Sequence, residues 1–377
     1  MKKGLCLIMM LILSFVLVKA QNNKVIIGVN LVNVPQNLTV AEQESILTAM
    51  QNAGVKVIRA GDVVNDKGIK FIQRVYAHGI KIEMIVDMAY APGTPWPSAP
   101  KGFNGLWRAP PLSKADPDSC AGYFKRLIDK LEAKGIVLAG LELGNELNWA
   151  GFNADFPLPG EGRVLGLNDL TSDPEGILFA KGLLQYLKVL TVLKNVRDQS
   201  KLNRNTPIIT AGLADLSGGT WTQHEKADAV SIDATLNFLR DHGLDKLVDG
   251  YGIHCYPTGT GPGTAVGAKA RYTHLIQNGL DECQPPGSKN GKPCWFTEWG
   301  FAVNTDACPV IDTARVQLVN EMRGYFGQLA KQQRLGGLLF YNWQGNIHAV
   351  KEDRASAFRC GSLTESGRIA IANNLNQ

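Results

Sequence analysis

The sequence lacks the residue patterns of most metal, cofactor and nucleic-acid sites. Its six histidines show no HxH or HExxH spacing, and its seven cysteines are too far apart for a zinc ribbon or finger. It has no long run of lysine and arginine, and a formal net charge of +5 is small for 377 residues. We therefore expect no metal site, no cofactor, no nucleic-acid partner and no membrane partner.

The first 20 residues have the composition of a cleaved export signal. A basic start is followed by an apolar stretch from Leu5 to Val18, and Val18-Lys19-Ala20 resembles a cleavage site. The stretch is shorter than the roughly 20 residues of a membrane span, although an uncleaved anchor is the alternative. We expect residues 1–20 to be removed and residues 21–377 to be a secreted or periplasmic chain with no second span.

Six cysteines remain after this cleavage. In an oxidising compartment, the glycine- and proline-rich loops around them favour the bridges Cys283–Cys294 and Cys308–Cys360. Cys255 falls within a strand pattern, which favours a buried thiol. Spacing alone does not determine the connectivity.

From Val25 onward the chain repeats a strand followed by a helix. Apolar runs such as Val25–Val29 suit strands that are buried on both faces, and a capping-box pattern at Thr39–Glu42 opens the first helix. Eight strands alternate with eight helices, one of them near residues 267–277. This order predicts an α/β fold with a single (β/α)8 TIM barrel. The first strand is followed by GVNLVNVPQN, whose single glycine argues against a doubly wound dinucleotide-binding sheet.

Polar residues concentrate at the predicted C-terminal ends of the strands, where barrel enzymes carry their chemistry. In chain order these ends carry Asn30, Arg59, Asp87, Asn145 with Glu146, His254 with Tyr256, Glu298 with Trp299, and Asn342 with Trp343. The loops over residues 88–117 and 147–174 are long and rich in proline, glycine and aromatics. Regular alternation that points Glu298 inward leaves Thr297 pointing away from the barrel axis.

Glu146 and Glu298 are placed by this topology at the ends of the fourth and seventh strands. Cleavage of a glycosidic bond with retention needs an acid and a nucleophile about 5 Å apart. One carboxyl group must keep its proton near neutral pH while the other stays ionised. Arg59, His254 and Tyr256 are residue types that can set this difference.

Two strand ends resemble the retaining glycoside hydrolases of clan A, the four–seven superfamily of (β/α)8 enzymes. Asn145-Glu146 closes the fourth strand, and the sequence TEWG around Glu298 closes the seventh. The further matches are Arg59 on strand two, His254 and Tyr256 on strand six, and Trp343 on strand eight. The resemblance covers the whole mature chain.

The resemblance implies a role for each matched residue. Glu146 would be the general acid/base and Glu298 the nucleophile. The supporting roles would be Asn145 for the sugar 2-hydroxyl, Arg59 and Tyr256 as contacts of the nucleophile, and Trp343 as the floor of the sugar subsite. Further candidates for sugar contact are Asn30, Trp149, Trp299 and His254, each of which also fits a structural role.

The family within the clan stays open between a family 39-like and a family 5-like enzyme. GNELN and TEWG are similar to several families, and Asp87-Met88-Ala89 lacks the histidine that many family 5 enzymes carry near there. The sequence predicts an exported hydrolase that cleaves β-glycosidic bonds in a poly- or oligosaccharide by double displacement. The alternatives are a non-catalytic carbohydrate-binding protein on the same scaffold and a transglycosylase.

Overall fold

The computed structural model describes most of the chain after the predicted leader. The described residues are 24–32, 35–62, 64–103, 105–216, 220–256, 275, 280–303, 305–308, 311–349 and 351–375. The leader at residues 1–20 lies outside them. So does the helix expected near residues 267–277, except for Leu275.

Eight parallel strands close into a barrel, which confirms the predicted fold. The strands of the described residues are β1 (Ile26–Asn30), β2 (Val57–Gly61), β3 (Lys81–Val86), β4 (Gly140–Asn145), β5 (Val164–Leu165), β6 (Ile208–Ala214), β7 (Ala229–Val230), β8 (Tyr251–Cys255), β9 (Cys294–Trp299), β10 (Leu335–Phe340), β11 (Phe358–Arg359) and β12 (Ser362–Leu363). The order around the barrel is β1-β10-β9-β8-β6-β4-β3-β2, whereas β5 pairs with β7 and β11 with β12 in separate two-stranded sheets. The C-terminal ends of all eight barrel strands therefore meet at one mouth.

Several of the described helices begin at a side chain that caps their first turn. They are α1 (Val40–Asn52), α2 (Asp66–Ala77), α3 (Pro117–Glu132), α4 (Asp169–Ser172), α5 (Pro174–Gln199), α6 (Thr220–Glu225), α7 (Ile232–Asp241), α8 (Thr313–Lys331) and α9 (Glu365–Ala370), with 3-10 turns at Pro35–Asn37, Leu112–Lys114, Leu244–Lys246 and Leu280–Glu282. Thr39 and Glu42 form the predicted capping box of α1. Asp116 and Asp173 cap α3 and α5, each of which has proline in its first turn.

Helix α5 anchors two strands of the barrel wall. It is the one helix of the described chain that is long and apolar enough to cross a membrane, by length and composition only, and 56% of its most apolar stretch is buried. Its Tyr186 hydroxyl donates to the Leu143 carbonyl at 3.0 Å and accepts from the Ala211 amide at 2.9 Å. These two bonds join β4 to β6 through α5, as in a helix of a protein core.

The lower end of the barrel is closed by Trp295. Its buried indole lies against Gly250, Gly336 and Gly337, where an added Cβ would come within 2.1 to 2.3 Å of the ring. Glycine is required at these three positions because no larger residue leaves room for the indole. The apolar layer around Trp295 separates the lower end from the polar layer at the mouth.

One of the two predicted disulfides forms. Cys308 is bonded to Cys360, as predicted, and Cys255 is a buried thiol in β8. The predicted Cys283–Cys294 bridge is wrong. The two buried thiols contact each other through a hydrogen bond, and the Cys294 thiol points at the Arg334 carbonyl, to which it donates at 3.0 Å.

Alkylation of the unfolded, unreduced mature protein should label four cysteines, with two more labelled after reduction. The four are Cys120, Cys255, Cys283 and Cys294, and the two are Cys308 and Cys360. Reduction should lower the free energy of unfolding by about 2–4 kcal/mol, because the bond joins residues 52 positions apart. Peptide mapping checks the pairing, and a linked Cys283–Cys294 peptide would contradict the structure.

Candidate active site

Arg59 lies fully buried at the centre of the barrel mouth. Its donors reach acceptors on three other strands: Glu142 from Nε at 2.6 Å and Nη2 at 3.0 Å, Asn30 and Glu298 from Nη1 at 2.9 and 2.5 Å, and Asn145 from Nη2 at 2.9 Å. Burial by itself lowers the pKa of Arg59, but the charges of Glu142 and Glu298 raise that pKa well above its ordinary value. The guanidinium is therefore a permanent cation at the mouth.

Glu142 fixes the plane of this guanidinium from below. Its carboxylate also accepts hydrogen bonds from the Gly212 amide at 2.7 Å and from the Thr297 hydroxyl at 3.1 Å. A bidentate arginine–carboxylate pair fixes the orientation of both groups, and here two further donors hold the carboxylate in place. The sequence alone gives Glu142 no role, although regular alternation places it on the inward face of the fourth strand, four residues before Glu146.

Glu83 is a second buried acid beside this pair. Neither of its oxygens accepts a hydrogen bond from a described group, and Arg59 Nε is 3.6 Å from one of them. Burial, reinforced by the charge of Glu142, raises the pKa of Glu83 well above its ordinary value. Glu83 therefore favours its protonated form inside the barrel. Its sequence signal was a single acid in the apolar run KIEMIV.

Glu298 ends the seventh barrel strand, β9, with 12% of its side chain exposed. It accepts hydrogen bonds from Arg59 and from the Tyr256 hydroxyl, and His254 Nδ1 is 3.6 Å away. Burial alone raises the pKa of Glu298, but the charges of His254 and Arg59 and the hydrogen bond from Tyr256 lower it below the ordinary value. Glu298 is therefore ionised at neutral pH.

Glu146 faces Glu298 with different partners and 15% exposure. The Trp149 indole donates to one oxygen at 2.9 Å, and His254 Nδ1 lies 2.7 Å from the other. Burial lowers the pKa of His254, but the charge of Glu298 and the hydrogen bond with Glu146 raise it above its ordinary value. His254 therefore favours its protonated form, in which Nδ1 donates to Glu146, whereas Glu298 favours its ionised form.

The two carboxylates are close enough to act on one bond. The carboxylate oxygens of Glu146 and Glu298 and a ring nitrogen of His254 lie within 4.8 Å of one another. This spacing fits the separation of about 5 Å that retaining glycosidases use. The same donors could bracket a divalent cation, but both carboxylates already accept hydrogen bonds from fixed side chains, among them the cation Arg59.

Left-handed backbone at the end of β4 brings Asn145 and Glu146 to the same site. A regular strand would point them to opposite faces. Gly144 has φ 79° and Glu146 has φ 41°, and the Glu146 amide donates to the Gly212 carbonyl at 2.9 Å. The positive φ at Glu146 is uncommon for a non-glycine residue and costs about 1 kcal/mol or more.

Thr297 points into the barrel, contrary to prediction. The pairing of β8 with β9 runs from Ile253 opposite Phe296 to His254 opposite Glu298, so that Thr297 is skipped. This irregularity turns both Thr297 and Glu298 inward. Gly212 makes room for them, because an added Cβ would lie 2.0 Å from the His254 ring and 2.6 Å from the Thr297 hydroxyl oxygen.

Most of the predicted site residues meet at the mouth, but three do not face a ligand. Trp299 packs on Phe326 and Phe340, Trp343 stacks on Phe358, and both indoles are fully buried. Trp299 follows Glu298 and so points outward, whereas Trp343 lies beyond the end of β10. The structure therefore contradicts both as sugar contacts. Asn30 is also fully buried, with both ends of its amide used by Arg59 and by two backbone carbonyls.

Tyr341 is an aromatic residue at the barrel mouth that was not predicted from the sequence. It follows β10 directly, is half-buried, and packs edge-on to Tyr256 with ring centroids 5.5 Å apart. Burial, followed by the charge of Glu298, raises the pKa of Tyr341 to about 12. In the sequence LLFYNW, Tyr341 directly follows the apolar run, but Trp343 two residues later was the aromatic residue predicted to contact the sugar.

Comparisons with known proteins agree with this barrel. No family model and no curated protein matches the sequence. Among solved structures, a family 39 β-xylosidase from Caulobacter crescentus superposes with a TM-score of 0.53 over 93% of this chain and 70% of its own, at 12% identity. A fungal β-1,4-galactanase and an endoglucanase from Pseudomonas stutzeri each give 0.50 over 92% of this chain and 94% of their own, at 14% and 13% identity.

The chain has the fold of clan A glycoside hydrolases. At these identities the likeness concerns the fold of the glycosidase barrel and leaves the family open. The neighbours belong to several families of the clan, which is the breadth that the sequence resemblance already had.

Replacement of Glu83 by glutamine should change how stability depends on pH. Between the ordinary glutamate pKa of 4.5 and the raised pKa in the fold, folded Glu83 holds a proton that the unfolded chain has released. The stability from this proton is complete below the ordinary pKa and is lost as pH rises. Relative to wild type, Glu83→Gln should gain about 1.4 kcal/mol per pH unit in that window.

Urea unfolding of both proteins at about pH 5 and about pH 8 measures this difference. Glu83→Ala serves as the control for lost packing, and it should be less stable than Glu83→Gln at both pH values. Parallel pH profiles for wild type and Glu83→Gln would show that Glu83 is ionised in the fold.

Proposed function

We propose that the protein is a retaining glycoside hydrolase that cleaves β-glycosidic bonds in a poly- or oligosaccharide. The observation that carries the proposal is the pair of facing carboxylates in unlike environments. Glu298 accepts hydrogen bonds from Arg59 and Tyr256 and favours its ionised form, whereas Glu146 contacts the His254 ring and the Trp149 indole. A double displacement needs this division between nucleophile and acid.

In the first step, a Glu298 oxygen attacks the anomeric carbon and the bond to the leaving oxygen breaks. The electron pair of that bond goes to the leaving oxygen, which takes the proton held by Glu146 and His254. The product of this step is a glycosyl ester on Glu298 and a free alcohol. Asn145, held through its Oδ1 by Arg59, presents its amide N–H group for the sugar 2-hydroxyl.

In the second step, Glu146 acts as a base on water. The water oxygen attacks the anomeric carbon, its proton returns to the Glu146–His254 pair, and Glu298 leaves as a carboxylate. Two inversions give a sugar of retained configuration. Arg59 and Tyr256 stabilise Glu298 as the leaving carboxylate, so the same contacts serve both steps.

The proposed substrate class comes from the fold neighbours, and the proposed location comes from the leader-like sequence and the disulfide. Neighbours of this fold include a β-xylosidase, a β-1,4-galactanase and an endoglucanase, which favour a β-linked glycan without selecting the sugar. The leader-like residues 1–20 and the Cys308–Cys360 bond favour action outside the cytoplasm. We place the enzyme in the periplasm or the extracellular medium.

Removal of the Glu298 carboxylate should abolish nearly all turnover of an activated aryl β-glycoside. In Glu298→Ala, azide fits the vacated space and attacks the anomeric carbon from the nucleophile's side, so added azide should restore activity and give an α-glycosyl azide. Asp129→Ala, which removes an exposed carboxylate on α3, is the control and should match wild type. Full activity of Glu298→Ala would overturn the assignment.

The loss of rate on removal of Glu146 should depend on the leaving group of the substrate. Glu146→Ala should lower the rate with a poorly activated glycoside by about 10²–10⁴-fold, and far less with a dinitrophenyl glycoside, which needs no proton. Azide should now give a β-glycosyl azide, since it replaces the base of the second step. Equal losses on both substrates would contradict the acid role.

Binding of oligosaccharides by wild type without any product would favour a non-catalytic carbohydrate-binding protein.

A further inference from the structure

We propose that Trp221, which is positioned by Trp149, forms the binding site for the sugar unit on the leaving-group side of the cleaved bond. This inference rests on the proposed function, because it takes Glu146 as the acid that protonates the leaving group. The site offers an aromatic surface for stacking of a pyranose ring. The substrate is therefore an oligosaccharide or polysaccharide with at least one sugar beyond the scissile bond.

Trp149 connects the acid to this surface. Its indole N–H donates to Glu146 at 2.9 Å, and its ring is almost fully buried. Gly151 packs directly on the ring, where an added Cβ would lie 2.1 Å from it, and the Trp149 backbone bridges to Ala229 of β7. The indole therefore has a fixed place relative to the proton donor.

Trp221 extends the surface into solvent. It lies in α6, which follows the fifth barrel strand β6 at the mouth, and its ring packs edge-to-face on Trp149 with centroids 4.9 Å apart. The side chain is 41% exposed. Single exposed tryptophans are common on proteins, but this one is two contacts away from the carboxyl group that meets the leaving oxygen.

The surroundings match the chemistry of a sugar ring. Phe152 also packs edge-to-face on Trp149 with centroids 6.1 Å apart, and the exposed Arg108 guanidinium lies 4.8 Å from the centroid of the Phe152 ring. Pyranoses present an apolar C–H face to aromatic rings and hydroxyl groups at their edge. Aromatic surfaces beside a few polar donors are typical of ligand sites of this kind.

The test compares a substrate that has no sugar on the leaving-group side with one that has at least one sugar there. One is a β-glycosyl fluoride of a sugar that the wild type accepts, which has no sugar in the proposed site. The other is the β-linked tetrasaccharide of the same sugar. Trp221→Ala should lower kcat/KM for the tetrasaccharide about tenfold, mainly through KM, with a clearly smaller loss for the fluoride. Trp221→Phe, which keeps a ring, should fall between Trp221→Ala and wild type.

Trp96→Ala is the matched control, because Trp96 is a second exposed tryptophan, 66% exposed, in the loop after a different barrel strand, β3. It should behave as wild type. Transfer of the glycosyl group to cellobiose or xylobiose in place of water should fall in Trp221→Ala as tetrasaccharide cleavage does. Equal losses on both substrates, no loss on either, or the same selective loss in Trp96→Ala would overturn the proposal.

A different result is expected if the protein is not a hydrolase. The wild type would then cleave neither glycosyl fluorides nor aryl glycosides. Calorimetric titration with cello-, xylo- and mannotetraose would still test the surface. Weaker binding in Trp221→Ala than in Trp96→Ala would support a sugar contact at Trp221, and equal binding would overturn it.

Discussion

The buried cation of Arg59 is the constraint on which the rest of the site depends. Moving a guanidinium out of water costs several kcal/mol unless acceptors of opposite charge surround it. Glu142, Glu298, Asn30 and Asn145 supply those acceptors from β1, β4 and β9. Each acceptor side chain is thereby fixed by the cation it stabilises, and the orientation of Glu298 is part of the barrel's interior packing.

The partners of the acids around this cation explain why Glu146 and Glu298 lie in different electrostatic environments. Burial and the charge of Glu142 raise the pKa of Glu83, whereas the charges of His254 and Arg59 lower the pKa of Glu298. Glu146 has other partners, the Trp149 indole and the His254 ring. Double displacement needs two carboxyl groups whose environments differ in this way.

The sequence was sufficient for the barrel and for the carboxylate pair, because parallel strands end at one mouth whatever their details. It was insufficient wherever a strand departs from regular alternation. The skipped pairing at Thr297 and the left-handed backbone at Glu146 are set by neighbouring strands and by Gly212. The burial of Trp343 and the exposure of Tyr341 depend on the residue at which β10 ends. An apolar run in the sequence does not identify that residue.

Covalent trapping tests the central assignment most directly. A 2-deoxy-2-fluoro β-glycoside with a dinitrophenyl leaving group forms the glycosyl ester but slows its hydrolysis, since fluorine destabilises the positively charged transition state. Peptide mapping of the trapped wild-type protein by mass spectrometry should locate the sugar on Glu298. A label on any other residue, or product of inverted configuration with no label, would contradict the assignment of Glu298 as the nucleophile.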